Sequence, residues 1–177
     1  ELNRLAISSD LNWKQIYMLR AYMHYLYQIN FKFNKSYIAD TLVKYHEITN
    51  NIVRLFEVKF NPSLELKNKE RSNKISDLSQ TIKSQLEKVS DVAEDNVISG
   101  FFGCVNATLR TNYYQVKKDG GFKGYLSFKF NSSQVPNLPL PHPFAEIFVY
   151  SIEFEAIQDR KSTRLNSSHL VISYAVF

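Results

Sequence analysis

The chain has 177 residues, enough for one domain or two small ones, and its 44% hydrophobic and 22% charged residues are typical of a folded globular protein. This composition excludes an intrinsically disordered chain, and a single cysteine, Cys104, excludes a disulfide-stabilised scaffold. The formal net charge of +5 permits an anionic partner without requiring one.

The first 62 residues are predicted to form a cluster of helices. Asn12 and Gln15 have the spacing of a capping box, and apolar residues follow at intervals of three and four. The last helix of this group is expected to end before Pro62, because a residue before proline disfavours the helical conformation. Short links between the helices favour antiparallel packing. The predicted helices cover residues 13–29, 35–45 and 48–60.

Residues 63–95 are predicted to contain one long amphipathic helix over 67–90. Its apolar residues recur at spacings that form a narrow seam, as in a coiled coil. The seam residues are Ile75, Leu78, Ile82, Leu86 and Val89. Charged residues occupy the remaining faces, so most of this helix is expected to be exposed. An alternative interpretation is therefore a non-enzymatic interaction module that pairs with a partner through the 66–92 amphipathic helix.

Residues 96–157 are predicted to combine a helix with two strands. The helix is expected to begin at Asp95 or Asn96 and to cover 96–113. Alternating aromatic residues predict a strand over 125–130, and a second apolar run predicts its antiparallel partner over 145–154. Helices followed by strands indicate the α+β class, with a mainly helical N-terminal part and a small antiparallel β portion.

The residue types that carry chemistry are few and far apart. The histidines do not have metal-ligand spacing with one another or with Cys104, so no metal site is predicted. These histidines are His24, His46, His142 and His169. Apolar neighbours predict that Cys104 is buried and inert. The glycines over 120–124 lead into a strand and not a helix, which argues against a phosphate-binding loop.

Binding to nucleic acid or insertion into a membrane is not expected. The aromatic and basic residues around 113–129 are equally explained by a strand that packs one face into a core. The richest apolar stretch, 13–33, is interrupted by charged and polar residues, so it does not predict a membrane span. A single cysteine and the absence of a signal pattern lead us to expect a cytoplasmic protein.

Long strings of consecutive residues indicate a protein family more specifically than any of these short patterns. The most specific are Ala107–Gln115, Tyr125–Lys129, Val135–Pro141 and Glu146–Ser151. With further strings in the first 62 residues, they resemble, in order, one segment of the large bacterial NAD-specific glutamate dehydrogenases. The resemblance runs to about residue 157. It implies an interior fragment in which 96–157 is the beginning of the catalytic domain.

The resemblance also implies a function for the parent protein. Enzymes of this family oxidise L-glutamate to 2-oxoglutarate and ammonia with NAD, and we expect a homo-oligomer in which the remainder of the polypeptide is this chain's main partner. The family's catalytic lysine, substrate motif and nucleotide-binding domain lie beyond the matched residues. We therefore expect no catalytic, NAD-binding or metal-binding residue here, and no activity from the fragment alone. Arg110, Asn112 and Lys129 are candidates for lining the catalytic cleft, or equally for anchoring the strands to the helices.

Residues 158–177 differ in composition from the rest of the chain. Residues 159–177 resemble a translated sequencing-adapter string found at the ends of metagenomic reading frames, so we expect this tail to be non-native. A genuine linker followed by a strand is the alternative, because 171–177 has strand-forming composition. Deletion of 159–177 is expected to leave the melting temperature nearly unchanged.

Overall fold

A computed structural model describes residues 2–160, in which helices come first and a small antiparallel sheet follows. This order confirms the predicted α+β class. The helices are α1 (Leu5–Ser8), α2 (Trp13–Gln28), α3 (Lys35–Lys44), α4 (His46–Phe60), α5 (Asn68–Leu86) and α6 (Val92–Ala107). The strands are β1 (Thr108–Thr111), β2 (Tyr125–Phe130), β3 (Ala145–Ser151) and β4 (Glu155–Arg160).

The predicted capping box is present at the start of α2. Asn12 Oδ1 accepts hydrogen bonds from the backbone N–H groups of Lys14 and Gln15, and Gln15 Oε1 accepts one from the Asn12 N–H at 2.8 Å. These bonds satisfy donors that have no partner within the helix. Residues 5–8, which the sequence pattern does not mark, form the additional short helix α1.

The long amphipathic helix α5 lies against α4 instead of standing alone. Ile82 is fully buried, and the other four seam residues are partly buried against the core. At its first turns, the Arg71 guanidinium donates to the carbonyl oxygens of Val58 and Leu64 near the end of α4. The seam therefore packs within the chain, which leaves less apolar surface for the alternative interaction module. The helix ends at Leu86 and not at 90.

The predicted helix over 96–113 is wrong at both ends. Helix α6 begins earlier, after Asp91, whose side chain accepts hydrogen bonds from two N–H groups of the first turn. It ends at Ala107 because Lys59, from α4, caps its last turn. The Lys59 ammonium donates to the backbone carbonyl oxygens of Val105, Asn106 and Thr108. The chain then extends directly into β1.

All neighbouring strands of the sheet pair antiparallel, in the order β1-β2-β3-β4. The predicted pairing of 125–130 with the second strand is confirmed. The predicted single strand over 145–154 is wrong, because β3 ends at Ser151 and the chain turns back as β4. Ser151 Oγ accepts hydrogen bonds from the N–H groups of Glu153 and Phe154 in that turn. The predicted tail thus begins inside β4, and residues 161–177 lie outside the described part of the chain.

The core lies between the inner face of the sheet and helices α2, α4 and α6. Tyr22 stacks on Phe128 at 4.5 Å between ring centroids, and Tyr25 stacks on Phe130 at 4.1 Å. Cys104 is fully buried beside them, and burial raises the pKa of its thiol, as expected for an inert cysteine. Among residues 2–160, no helix is long and apolar enough to cross a membrane.

Candidate functional site

The outer face of the sheet carries two cations side by side. In the pairing of β1 with β2, Arg110 lies directly opposite Lys129. Arg110 is exposed and Lys129 is half-exposed, while their strand neighbours Phe128 and Phe130 point into the core. Like charges at opposed positions of a sheet repel each other. In the described range, neither cation has a carboxylate within 4.0 Å, so this corner of the sheet has positive charge available for an anion.

Asn112, the third candidate, has a structural role instead. It is buried just after β1, where its Nδ2 donates to the Tyr125 carbonyl and its Oδ1 accepts from the Ser127 N–H at 2.7 Å. Both bonds hold the end of β1 against β2. The structure thus brings the three candidates close together along two strands, but the Asn112 side chain is committed to the backbone of β2.

The outer face becomes apolar away from these cations. Lys129 pairs with Ile147 on β3, and Ile147 pairs in turn with Gln158 on β4. Ile147 and Val149 of β3 are half-exposed on this face. The sheet therefore presents a cationic corner that adjoins an aliphatic strip, an arrangement that suits a small anion with a short hydrocarbon part.

A buried carboxylate on the inner face was not predicted from the sequence. Glu146 is 5% exposed, and its Oε2 accepts a hydrogen bond from the Tyr25 hydroxyl. Burial raises the pKa of Glu146, and nearby Asp159 adds to this effect, whereas the Tyr25 hydrogen bond and His142 oppose it. Glu146 and Phe148 are two residues apart in one strand, so they lie on the same face of the sheet. This spacing was the sequence signal that could have predicted an inward-facing Glu146.

His24 also has a partner that sequence analysis did not identify. Its Nδ1 lies 3.0 Å from Glu155 Oε2, and its ring packs on Tyr150 at 4.8 Å. Burial lowers the pKa of His24, and Glu155 opposes this effect. The pair joins α2 to β4, so we assign it a packing role. In the described part of the chain, no three His, Cys, Asp or Glu side chains are grouped as metal ligands would be.

Comparison with known proteins gives this geometry a family context. Residues 1–62 match the family model described as glutamate dehydrogenase, helical motif 3. Residues 81–166 match the one described as bacterial NAD-glutamate dehydrogenase, catalytic domain. The chain belongs to the bacterial NAD-glutamate dehydrogenase family. Helix α6 and the whole sheet, with the cationic corner, lie in the part that matches the catalytic domain of this family.

Individual members of the glutamate dehydrogenase family are similar along nearly the whole chain. NAD-specific glutamate dehydrogenase from Halomonas elongata is 40% identical over 158 residues, and that from Pseudomonas aeruginosa is 39% identical over 158 residues. The Mycobacterium tuberculosis protein of the same name is 32% identical over 160 residues. Each alignment covers 89% of this chain, which spans 10% of the length of these relatives.

Proposed function

We propose that this chain is part of an NAD-dependent enzyme that oxidises L-glutamate to 2-oxoglutarate and ammonia. The observation that carries this proposal is the position of Arg110 and Lys129 in the part of the chain that matches a catalytic domain. Arg110 is exposed and Lys129 is half-exposed, and among residues 2–160 neither has a carboxylate within 4.0 Å. Glutamate and 2-oxoglutarate are both dicarboxylates. Two adjacent cations beside an aliphatic strip match the carboxylates and the short carbon chain of such molecules.

Each cation contributes a different kind of contact in this proposal. The planar guanidinium of Arg110 can donate two parallel hydrogen bonds to one carboxylate, which fixes its orientation. The Lys129 ammonium acts as a compact charge that attracts either carboxylate. Asn112 acts indirectly, because it holds β1 in register with β2 and so keeps the two cations opposed.

The remaining parts of the reaction belong to residues outside the described range. Bound NAD would supply the hydride acceptor for oxidation at the Cα of glutamate, and water would supply the oxygen of 2-oxoglutarate as ammonia leaves. We place the nucleotide-binding domain and the proton-transferring residues in the remainder of the polypeptide. A cytoplasmic homo-oligomer is part of the same proposal.

A chimeric enzyme tests this function. Residues 2–157 replace the matching segment of the P. aeruginosa relative, and glutamate-dependent formation of NADH is measured by absorbance. We expect the chimera to be active. Arg110→Met and Lys129→Met, each in the chimera, are expected to raise KM for glutamate by about tenfold or more, because each variant loses its charge-assisted hydrogen bonding to a carboxylate. Lys74→Met, at an exposed position of α5, is the control.

The outcomes separate the two parts of the proposal. A chimera that keeps the melting temperature and oligomeric state of the parent but forms no NADH would contradict the assignment of this chain to the enzyme. An active chimera whose KM and kcat are unchanged by Arg110→Met and Lys129→Met would leave the enzyme assignment intact and contradict the role of the cationic corner.

A further inference from the structure

A groove of about 460 Å³ lies on the side of the molecule formed by the start of the chain and α2. Its volume falls within the range of small-molecule sites. Four segments meet there: the first residues of the chain, the exposed side of α2, the loop before β2 and the turn between β3 and β4. Its lining residues include Trp13, Tyr17, Arg20, Phe122, Gly124 and Ile152.

The walls of the groove are aromatic and open to solvent. The Phe122 ring stands edge-on to Trp13 at 5.4 Å and to Tyr17 at 5.5 Å between centroids. Trp13 is 64% exposed and Ile152 is 87% exposed, so a large apolar area remains uncovered. Phe122 is held in place by a β-bridge with Val116. These edge-to-face contacts join the three rings into one preformed aromatic wall of the groove, against which a flat ligand can pack.

The floor of the groove stays open because of Gly124. Its φ of +67° is a conformation that residues with a side chain rarely adopt, and no atom lies within 4 Å of the place a Cβ would take. The Gly124 carbonyl accepts a hydrogen bond from the Tyr17 hydroxyl at 3.3 Å.

One cation lies in the groove wall. Trp13, Tyr17 and Arg20 follow one another at i, i+4 and i+7 on α2, which places them along one face of the helix. Arg20 Nη2 donates to Asn3 Oδ1 at 2.9 Å, a bond that orients the guanidinium. In residues 2–160, no carboxylate lies within 4.0 Å of Arg20, and its other donors have no hydrogen-bond acceptor. These donors are available to a planar acceptor group.

We propose that this groove binds a small planar aromatic molecule that carries a carboxylate. The ring packs against the aromatic wall that Trp13 and Phe122 form, and the carboxylate receives hydrogen bonds from Arg20. Charge complementarity with Arg20 favours this class over neutral rings, and the aromatic wall favours it over aliphatic acids. The site is separate from the cationic corner of the sheet, and it does not depend on the function proposed above.

The test uses the fluorescence of Trp13, the only tryptophan in the chain, so the signal comes from the groove itself. The probe is 4-nitrobenzoate, and 4-nitrobenzyl alcohol is its neutral match with the same ring. Titrations of the full chain are run at about 0.15 M salt, where long-range charge effects are screened. N-acetyltryptophanamide measures collisional quenching, which is subtracted. Cyclohexanecarboxylate, which has no aromatic ring, is added as a competitor.

We expect saturable quenching by 4-nitrobenzoate and about tenfold weaker binding of the alcohol, because the alcohol lacks the charge-assisted bonds to Arg20. Arg20→Met should abolish this difference, Arg20→Lys should restore part of it, and Arg54→Met, at an exposed position of α4, should behave like the original chain. Cyclohexanecarboxylate should compete poorly. Circular dichroism and the melting temperature establish that each variant is folded.

Several results would overturn the proposal. Quenching that never saturates, equal affinity for the acid and the alcohol, or 4-nitrobenzoate binding that Arg20→Met and Arg20→Lys leave unchanged would each do so. Sedimentation velocity supplies a further criterion: if the chain dimerises and Phe122→Ser makes it monomeric, the groove binds a second copy and not a small acid.

Discussion

Glu146 places a carboxylate on the inner face of the sheet, where water is largely excluded. Burial is the main cause of its raised pKa. Because the folded state holds this proton more tightly than the unfolded chain does, folding stability decreases as the pH rises from about the ordinary value through the raised pKa. Above that pKa, the whole cost of burying the charge is present.

Glu146→Gln is therefore expected to raise the melting temperature by a few degrees at pH 7.5. The amide keeps an acceptor for the Tyr25 hydroxyl but carries no charge. The advantage should disappear near pH 4, where the carboxyl of the original chain is protonated in both states. Thermal denaturation between pH 4 and 8 measures this dependence. Glu153→Gln, at an exposed position in the β3–β4 turn, is the charge-matched control, and equal pH profiles for the two variants would contradict the prediction.

At the scale of secondary structure, the apolar seam of α5 has two possible roles: it packs within the chain, or it binds a partner. Ile82→Ala removes the one fully buried seam residue, and we expect it to destabilise the chain by about 2–5 kcal/mol, as for other large-to-small core substitutions. Urea denaturation followed by circular dichroism gives this free energy of unfolding. Gln80→Ala, on the exposed side of the same helix, should change it by less than about 0.5 kcal/mol.

The alternative, in which this seam binds a partner, predicts the opposite result. If α5 pairs with another protein or a second copy, Ile82→Ala will change the oligomeric state and leave the unfolding free energy of the monomer close to that of the Gln80→Ala control. Sedimentation velocity on the same samples distinguishes the two outcomes.

Helix starts were more predictable than helix ends, and the reason is physical. Asn12 caps α2 through bonds to residues two and three positions away, so the local sequence contains the whole signal. The end of α6 depends on Lys59, which comes from α4 and caps carbonyl oxygens 46–49 positions later. No glycine or proline marks that end. A tertiary contact of this kind cannot be read from a local pattern.

The geometry of the candidate site could not be predicted from the sequence. Arg110, Asn112 and Lys129 stood in the strings that carry the family resemblance. Their arrangement depends on the register of β1 with β2, which shifts between Thr108 and Arg110. That irregularity decides which side chains of β1 face outward, because a shift of one residue reverses the faces of a strand.

At the scale of the whole molecule, the two parts matched by different family models form one packed structure. Helix α4, from the first part, contacts α6 of the second part and caps it through Lys59. Tyr22 of α2 likewise stacks on Phe128 of the sheet. The helical part therefore supports the sheet, which lies in the part that matches the catalytic-domain model, and a change in either part should destabilise both.

The expected non-native tail can be tested by two truncations. Removal of 161–177 should leave the melting temperature nearly unchanged, because it spares the four described strands and the core residues that pack on them. Removal of 155–177 deletes β4, including Glu155, which pairs with His24, and Ile157, which packs on the core. We expect that longer truncation to lower the melting temperature by several degrees. An equal loss from both truncations would mean that the tail packs as native structure.

The chain alone is expected neither to bind NAD nor to oxidise glutamate. A dinucleotide site needs a glycine-rich turn between a strand and a helix, where backbone N–H groups meet the pyrophosphate. None of the five glycines of this chain, all of which are described, lies in such a turn. Gly103 lies in α6, where a Cβ would come within 2.1 Å of Pro136, and Gly120 and Gly124 have positive φ in the loop before β2. Gly100 is also in α6, and Gly121 lies in the same loop.

Calorimetric titration separates specific NAD binding from ionic attraction. At about 0.15 M salt, charges more than ~8 Å apart are largely screened, so attraction of the NAD phosphates to Arg110 and Lys129 should give no saturable heat. The same sample should form no NADH when glutamate is added. Any weak heat at low salt should decrease in the Arg110→Met variant. Micromolar affinity that persists at 0.15 M salt, or NADH formation that requires glutamate, would place a functional nucleotide site within this chain and contradict the prediction.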